Sequence, residues 1–405
     1  MPVNLIAKTP DQLPAIDGVE IYTAQAGIKK NHHTDLTLIA LNPECTVGAV
    51  FTQNRFCAAP VHIARKHLFD AGGVRALIIN TGNANAGTGA KGREHALQMC
   101  QATAEQLNCL PNQVMPFSTG VILEPLPIEK ITAALPHIQA SNWAEAAHAI
   151  MTTDTVPKAA HRSGQIGNHH MVKVTGIAKG AGMICPNMAT MLGFIATDAC
   201  IAQPVLQQMT EEIVNATFNC ITVDGDTSTN DSFVIIATGR CGQNEIDNLA
   251  DPRYTQVKQL LLETALELAQ AIVRDGEGAS KFITIRVMHA NSREDARKVA
   301  YAIAHSPLVK TAFSASDPNL GRILAAIGYS GANIEIDALK LYLGNVLVAE
   351  KGGRAESYTE EQGQAVMQQD EIDVLIDLRT GEHEITIYTC DLTQEYVSIN
   401  ADYRS

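Results

Sequence analysis

Along the chain, apolar positions change rhythm several times. Residues 74–80 form an almost continuous apolar run of strand length that feeds a glycine-rich stretch, and a helical pattern follows over 93–107. Residues 170–177 alternate, with Val172, Val174 and Ile177 apolar between polar neighbours, and 232–237 is a second continuous apolar strand. Over 254–274, Val257, Leu260, Leu261, Leu268 and Ile272 share one helical face. That helix should stop at Asp275-Gly276, leaving Glu277 in a glycine-flanked loop. Residues 281–288 alternate again. A helix over 292–306 opens on a serine cap with acids in its first turn and ends before Pro307. Three short alternating runs close the chain: 371–378, 383–389 and 395–400. They read as strands, the first two joined through Arg379-Thr-Gly-Glu382 in a hairpin-type turn. With no internal repeat and no long linker, this order predicts an α/β protein: a layered mixed α/β sandwich with substantial antiparallel sheet.

Composition narrows the function. A hydrophobic content of 46% with 18% charged residues suffices for a large core in 405 residues. The net charge of −13 repels phosphate backbones and anionic lipid, so neither nucleic acid nor a membrane is expected as partner. No apolar run approaches a membrane span, and the first residues lack the charged head and apolar stretch of a secretion signal. The 9 cysteines are scattered, odd in number and never spaced C-x-x-C, as reduced thiols of a cytoplasmic protein would be. The 13 histidines include no H-E-x-x-H, and no metal is expected.

Several short motifs fail on context. Gly87-Thr-Gly-Ala-Lys-Gly92 matches G-x-G-x-x-G, but a dinucleotide site needs that turn directly after the strand. Here the strand should end at Asn80, and the next strand candidate, 113–119, carries no acid for a ribose; a polar loop is the better reading. No G-x-S-x-G elbow and no phosphate-binding P-loop occur. The acidic run from Asp224 to Asp231 lacks the spacing of a calcium loop and reads as a capped, hydrogen-bonded turn.

One segment stands apart: Lys179-Gly-Ala-Gly-Met-Ile-Cys-Pro-Asn-Met-Ala-Thr-Met-Leu192. On pattern alone Thr190 is either a helix cap in a methionine-padded turn or a nucleophile. A threonine hydroxyl is weak, but a threonine made N-terminal by cleavage of the bond before it has an α-amine with pKa near ~8 to take its proton. Ala189 would leave little bulk over the scissile carbonyl.

This segment resembles the self-cleavage segment of the ornithine acetyltransferases, also called glutamate N-acetyltransferases, of arginine biosynthesis. The resemblance runs nearly end to end. It includes Gly48-Ala-Val-Phe-Thr-Gln-Asn54, Asn80-Thr-Gly-Asn-Ala-Asn-Ala86, Ser118-Thr-Gly-Val-Ile122 and Met151-Thr-Thr-Asp-Thr155. It continues through Thr222-Val-Asp-Gly-Asp-Thr227, Asp275-Gly-Glu-Gly-Ala-Ser-Lys281 and Glu395-Tyr-Val-Ser-Ile-Asn-Ala-Asp-Tyr-Arg-Ser405. Leu320 departs from a tryptophan common in the family.

The resemblance implies cleavage between Ala189 and Thr190, giving an α-chain of residues 1–189 and a β-chain of residues 190–405, two of each in the assembly. It implies acetyl transfer from N-acetylornithine to glutamate through an acetyl-Thr190 ester, without a cofactor; whether acetyl-CoA serves as a second donor stays open. Thr119 and Gly120 correspond to the oxyanion donors, and Thr153, Lys179, Thr190, Glu277, Asn400 and Ser405 to the substrate-binding set. The rivals are a self-processing aminopeptidase or amidohydrolase on the same scaffold, which passes the acyl group to water, and an uncut amino-acid-binding protein.

Overall fold

In the computed structural model the described residues are 2–28, 33–70, 72–167, 170–185 and 191–401. The chain forms two units, one of residues 6–219 and 226–272, the other of residues 1–5, 220–225 and 273–405.

The larger unit is built on two five-stranded sheets. One runs Val114–Val121, Ala76–Asn83, Leu36–Leu41, Val19–Ala24, Gln139–Ala140; the other runs Thr46–Phe51, Ser232–Ala237, Leu192–Thr197, His170–Lys179, Lys158–Ile166. Most neighbours are antiparallel, with one parallel pair in each sheet, Ala76–Asn83 with Val114–Val121 and Leu192–Thr197 with Ser232–Ala237. The continuous apolar runs follow from burial on both faces. Leu77 and Ile79 turn inward to a core shared with Phe194, Ala196, Val234 and Ile236 of the second sheet, where Phe117 meets Phe194 edge-on at 5.1 Å. Ala76 and Ile78 point the other way, onto Ala96, Met99 and Cys100 of the helix Gly89–Leu107. Helices also cover the outer face of the second sheet. Leu260 and Leu268 of Pro252–Arg274 lie over Gly164 and Gly176, and the Gln203–Ala216 helix lies along the edge strand Thr46–Phe51. The layers are therefore helix, sheet, sheet, helix, the sandwich that the alternation predicts.

The smaller unit holds one six-stranded sheet in the order Gly353–Arg354, Val346–Glu350, Lys340–Leu343, Glu371–Asp377, Phe282–Ala290, His383–Cys390. Its core joins Ile283, Ile285 and Val287 to Val299, Ile303 and Phe313 of the helices Arg293–Ala304 and Pro307–Ser314. Ser292 caps the first of these, accepting the Asp295 N–H at 3.0 Å, as its sequence predicts.

Three expectations need correcting. Glu371–Asp377 and His383–Cys390 are not a hairpin, because Phe282–Ala290 lies between them, parallel to the first and antiparallel to the second. The Arg379–Glu382 connection crosses the end of that central strand, where Thr380 and Gly381 both donate their N–H to His289 O. Residues 395–400 are not a strand but part of the helix Gln394–Ala401, whose own side chains bond back one turn: Ser398 to Gln394 O, and Asn400 to Tyr396 O. Gly89 to Gly92 are not loop but the first turn of the Gly89–Leu107 helix, and Gly92 has no room for a side chain beside Thr88 and Asn85. Among the described residues no helix is long and apolar enough to cross a membrane.

Candidate active site

Thr119 and Gly120 sit at the end of the strand Val114–Val121, not in a free turn. The parallel register with Ala76–Asn83 is regular up to Gly82 opposite Gly120, then shifts at Asn83, which pairs with both Thr119 and Val121. This bulge brings two glycine backbones together. Gly120 has φ +133°, Gly82 has φ +106°, and a Cβ on Gly120 would run into the Gly82 carbonyl carbon and the Asn83 nitrogen. The polar groups below it are tied down. The Ser118 hydroxyl donates to Asn80 Oδ1 at 2.5 Å, Asn80 Nδ2 donates to Asn83 O at 2.9 Å, and Asn83 Nδ2 reaches Glu124 O and Pro125 O, both at 3.1 Å. A hydroxyl and a backbone N–H, both groups able to donate hydrogen bonds, thus sit next to each other at a closely packed strand end.

Lys179 is the last residue of the strand His170–Lys179 and is half-buried; Thr153 lies in the loop before Lys158–Ile166. Asp154 brings the two together. Its buried carboxylate accepts the Gly180 N–H at 2.6 Å, the Thr152 N–H at 2.9 Å and the Lys158 ammonium at 2.6 Å, and neither side chain of that ion pair is exposed. Burial raises the Asp154 pKa, but the charges of Lys158 and Lys179 and the hydrogen bonds outweigh it, holding the carboxyl far below its ordinary range. A second buried carboxyl, Asp231, feels the Lys179 charge too. For it burial dominates and holds the pKa well above the ordinary value, despite Lys179 and hydrogen bonds from Ser228 and the Met191 N–H. Its Oδ2 has no hydrogen-bond partner among the described residues. Lys179 therefore lies in the field of two buried carboxyls whose pKa values are pushed in opposite directions.

In the smaller unit Glu277 is buried in the loop after Pro252–Arg274, and Asn400 Nδ2 donates to its Oε2 at 2.7 Å. The loop is anchored by Asp391, which accepts the Ser280 and Lys281 N–H groups and the Ser280 hydroxyl. Thr393 adds a bond to Gly278 O at 2.7 Å. Gly278, at φ +69°, has the Tyr396 nitrogen where a Cβ would stand.

A family model described as the ArgJ family matches residues 20–405. The chain belongs to the ArgJ family. The arginine biosynthesis bifunctional proteins ArgJ of Neisseria meningitidis serogroup A and of Neisseria gonorrhoeae are each 70% identical to it over 406 residues, covering 100% of both chains. A crystal structure of the arginine biosynthesis bifunctional protein argJ from Bacillus halodurans is 38% identical, with a TM-score of 0.50. The match covers 52% of this chain and 99% of the solved one. Membership places the chain among the acyltransferases of arginine biosynthesis.

Among the residues that the ArgJ resemblance singles out, Thr119, Gly120, Thr153 and Lys179 fall in the larger unit, Glu277 and Asn400 in the smaller. Ala189, Thr190 and Ser405 lie outside the described residues. Sequence reasoning missed Asn80, Asp154, Lys158 and Asp231. For Asn80 and Asp154 the signal was available in the family stretches themselves, which place polar side chains beside apolar strands, where a buried polar group must find a partner; Lys158 and Asp231 lie outside those stretches.

Proposed function

We propose that this ArgJ-family chain cuts itself between Ala189 and Thr190 and then transfers the acetyl group of N-acetylornithine to glutamate through an ester on Thr190. The observation that carries this reading is the 70% identity over full length to proteins named as bifunctional in arginine biosynthesis, beside the Lys179–Leu192 segment of this sequence. The half-length match to the solved Bacillus halodurans chain supports processing, since 99% of that chain is accounted for by 52% of this one. The mature protein would then consist of residues 1–189 and 190–405, held together as two copies of each, in the cytoplasm and without a cofactor.

The chemistry is double displacement. The Thr190 hydroxyl attacks the acetyl carbonyl of N-acetylornithine, its proton passing to the free α-amine of the same residue. The tetrahedral oxyanion is met by the Thr119 hydroxyl and the Gly120 N–H; losing one such donor costs about 2.7–4 kcal/mol of barrier. As the C–N bond breaks, the proton goes to the departing ornithine amine, and an acetyl-threonine ester remains. The glutamate amine attacks that ester, the C–O bond breaks, and the hydroxyl is restored. Lys179 holds a substrate carboxylate, Thr153 and Ser405 supply hydroxyls to the bound amino acid, and Glu277, oriented by Asn400, takes protons from the amine. The relatives' description as bifunctional favours a second donor, acetyl-CoA, entering the same ester intermediate.

Intact mass under denaturing conditions, followed by an acetylornithine pulse, tests this. Two chains split before Thr190, with one acetyl group on the larger, are expected, and Thr190→Ala should leave one uncut, inactive chain. A Thr190→Ala variant with full acetyl transfer would remove the nucleophile.

A further inference from the structure

The polar segment 226–231 of the larger unit binds backbone from several separate stretches. Thr52 donates its N–H to Asp231 O and its hydroxyl to Ser228 O, both at 3.0 Å, and the Ala58 N–H reaches Thr229 O at 2.9 Å. Thr227 Oγ1 donates to Cys185 O at 3.1 Å, and the Ser232 N–H that follows donates to Met191 O at 2.9 Å. At its centre Asn230 is 7% exposed. Its Nδ2 gives one hydrogen to Ala84 O at 2.6 Å and one to Ser118 O at 2.9 Å, while its Oδ1 accepts the Thr229 hydroxyl at 2.6 Å. Two carbonyl oxygens demand the NH₂ on that side, so the orientation of the carboxamide is fixed by its partners.

The two carbonyls are the walls of the bulge. Ser118 C=O belongs to the peptide group whose N–H is that of Thr119. Ala84 lies in the returning loop, and its own N–H bonds Val121 O at 2.9 Å, one residue beyond Gly120. One buried side chain therefore pins the peptide before Thr119 and the loop that follows Asn83.

We propose that Asn230 is the positioning residue of the oxyanion pair, its carboxamide locking the two strand ends so that the Thr119 hydroxyl and the Gly120 N–H keep a single geometry. The proposal rests on the acetyl-transfer reading above, in which that pair serves both self-cleavage and acyl transfer. Misplacing catalytic groups by about 1 Å costs on the order of 100-fold in rate. Asn230→Asp keeps the shape but turns an acceptor oxygen toward two carbonyl oxygens.

The test measures, on the full chain, the time course of self-cleavage and then kcat and KM for acetylornithine per cleaved chain. Asn230→Asp should cleave slowly and lose about 100-fold in kcat with KM unchanged. In a Thr119→Ala background the same change should cost less than in wild type, because both act on one donor pair. Thr229→Val keeps both Asn230 donor bonds but removes the hydroxyl that holds its Oδ1, loosening the carboxamide without breaking either bond to the strand ends. It should fold normally and show a smaller kcat loss, which keeps the test decisive if Asn230→Asp does not fold. Unchanged kcat in the folded variants, an effect confined to KM, or fully multiplicative losses with Thr119→Ala would overturn the positioning role. A wild type that neither cuts itself nor transfers acetyl would overturn the acetyl-transfer reading, and this proposal with it; a wild type that does both, beside an unaffected Thr229→Val and Asn230→Asp, would overturn this proposal alone.

Discussion

Replacing Asp154 by asparagine should be among the most destabilising single changes in the larger unit. The pair with Lys158 is 2.6 Å long with neither side chain exposed, and removing one member of such a pair costs about 3–5 kcal/mol, because it leaves the other charge buried and uncompensated. Asparagine keeps an acceptor oxygen for the Gly180 or Thr152 N–H but cannot neutralise the ammonium. Adding Lys158→Met should therefore restore part of the loss, giving a coupling energy of about 0.5–3 kcal/mol between the two sites. The chain has 1 tryptophan, Trp143, and it is buried in the same unit, so its fluorescence during urea unfolding reports on that unit. The pH dependence has a definite sign. The folded pKa of Asp154 lies below the unfolded value near ~3.9, so its stabilisation is complete above that pH and is lost as pH falls towards the folded value. The gap between wild type and Asp154→Asn should be constant above about pH 5 and shrink in acid. Additive losses from the two substitutions, or a gap that widens in acid, would refute the reasoning. Because Asp154 also ties Thr152 to Gly180, the variant should raise KM by loosening Thr153 and Lys179.

Three further outcomes follow from other contacts. Gly120→Ala places a methyl against the Gly82 and Asn83 backbone at φ +133°, and should cost about 1–3 kcal/mol in urea unfolding and abolish self-cleavage; a variant that cuts itself at the wild-type rate would refute the close approach. Burial holds the folded pKa of Asp231 well above the unfolded value near ~3.9, so its contribution to stability is complete below that pH and falls as pH rises towards the folded value. Asp231→Asn should flatten this slope and be at least as stable as wild type at neutral pH, and a steeper slope in urea midpoints against pH would contradict it. Gln203 and Gln207 each exchange two hydrogen bonds with the backbone of the edge strand Thr46–Phe51, at Val47 and Ala49. Each bond is worth about 0.5–1.5 kcal/mol, so the double alanine variant should lose about 2 kcal/mol or more and scatter light as the edge opens to neighbours. Unchanged stability and clear solutions would show that the edge needs no cover.

The fold was legible where one physical preference dominated. Strands buried on both faces, such as Ala76–Asn83 and Ser232–Ala237, and a helix with one long apolar face, Pro252–Arg274, declare themselves by period and length. Expectation and structure part where a non-local partner decides. Nothing in residues 371–390 says that Phe282–Ala290, some eighty residues earlier, inserts between the two runs, and short alternation in 395–400 fits a strand as well as a helix until its packing is known. The site shows the same division. Thr119, Gly120, Thr153 and Lys179 were legible only through resemblance, because each is an ordinary residue alone. Beside them the structure places a second set, Asn230, Asp154 and Asn80, whose side chains are buried, hydrogen-bonded and spread over 150 residues of sequence. A buried carboxamide or carboxylate costs about 1–3 kcal/mol for each unpaired atom, so it persists only where its partners have been fitted to it. Each such residue therefore points to backbone whose position matters. In this chain that backbone is the strand end that carries Thr119, held by Asn230 and Asn80, and the one that carries Lys179, held by Asp154 through the Gly180 N–H.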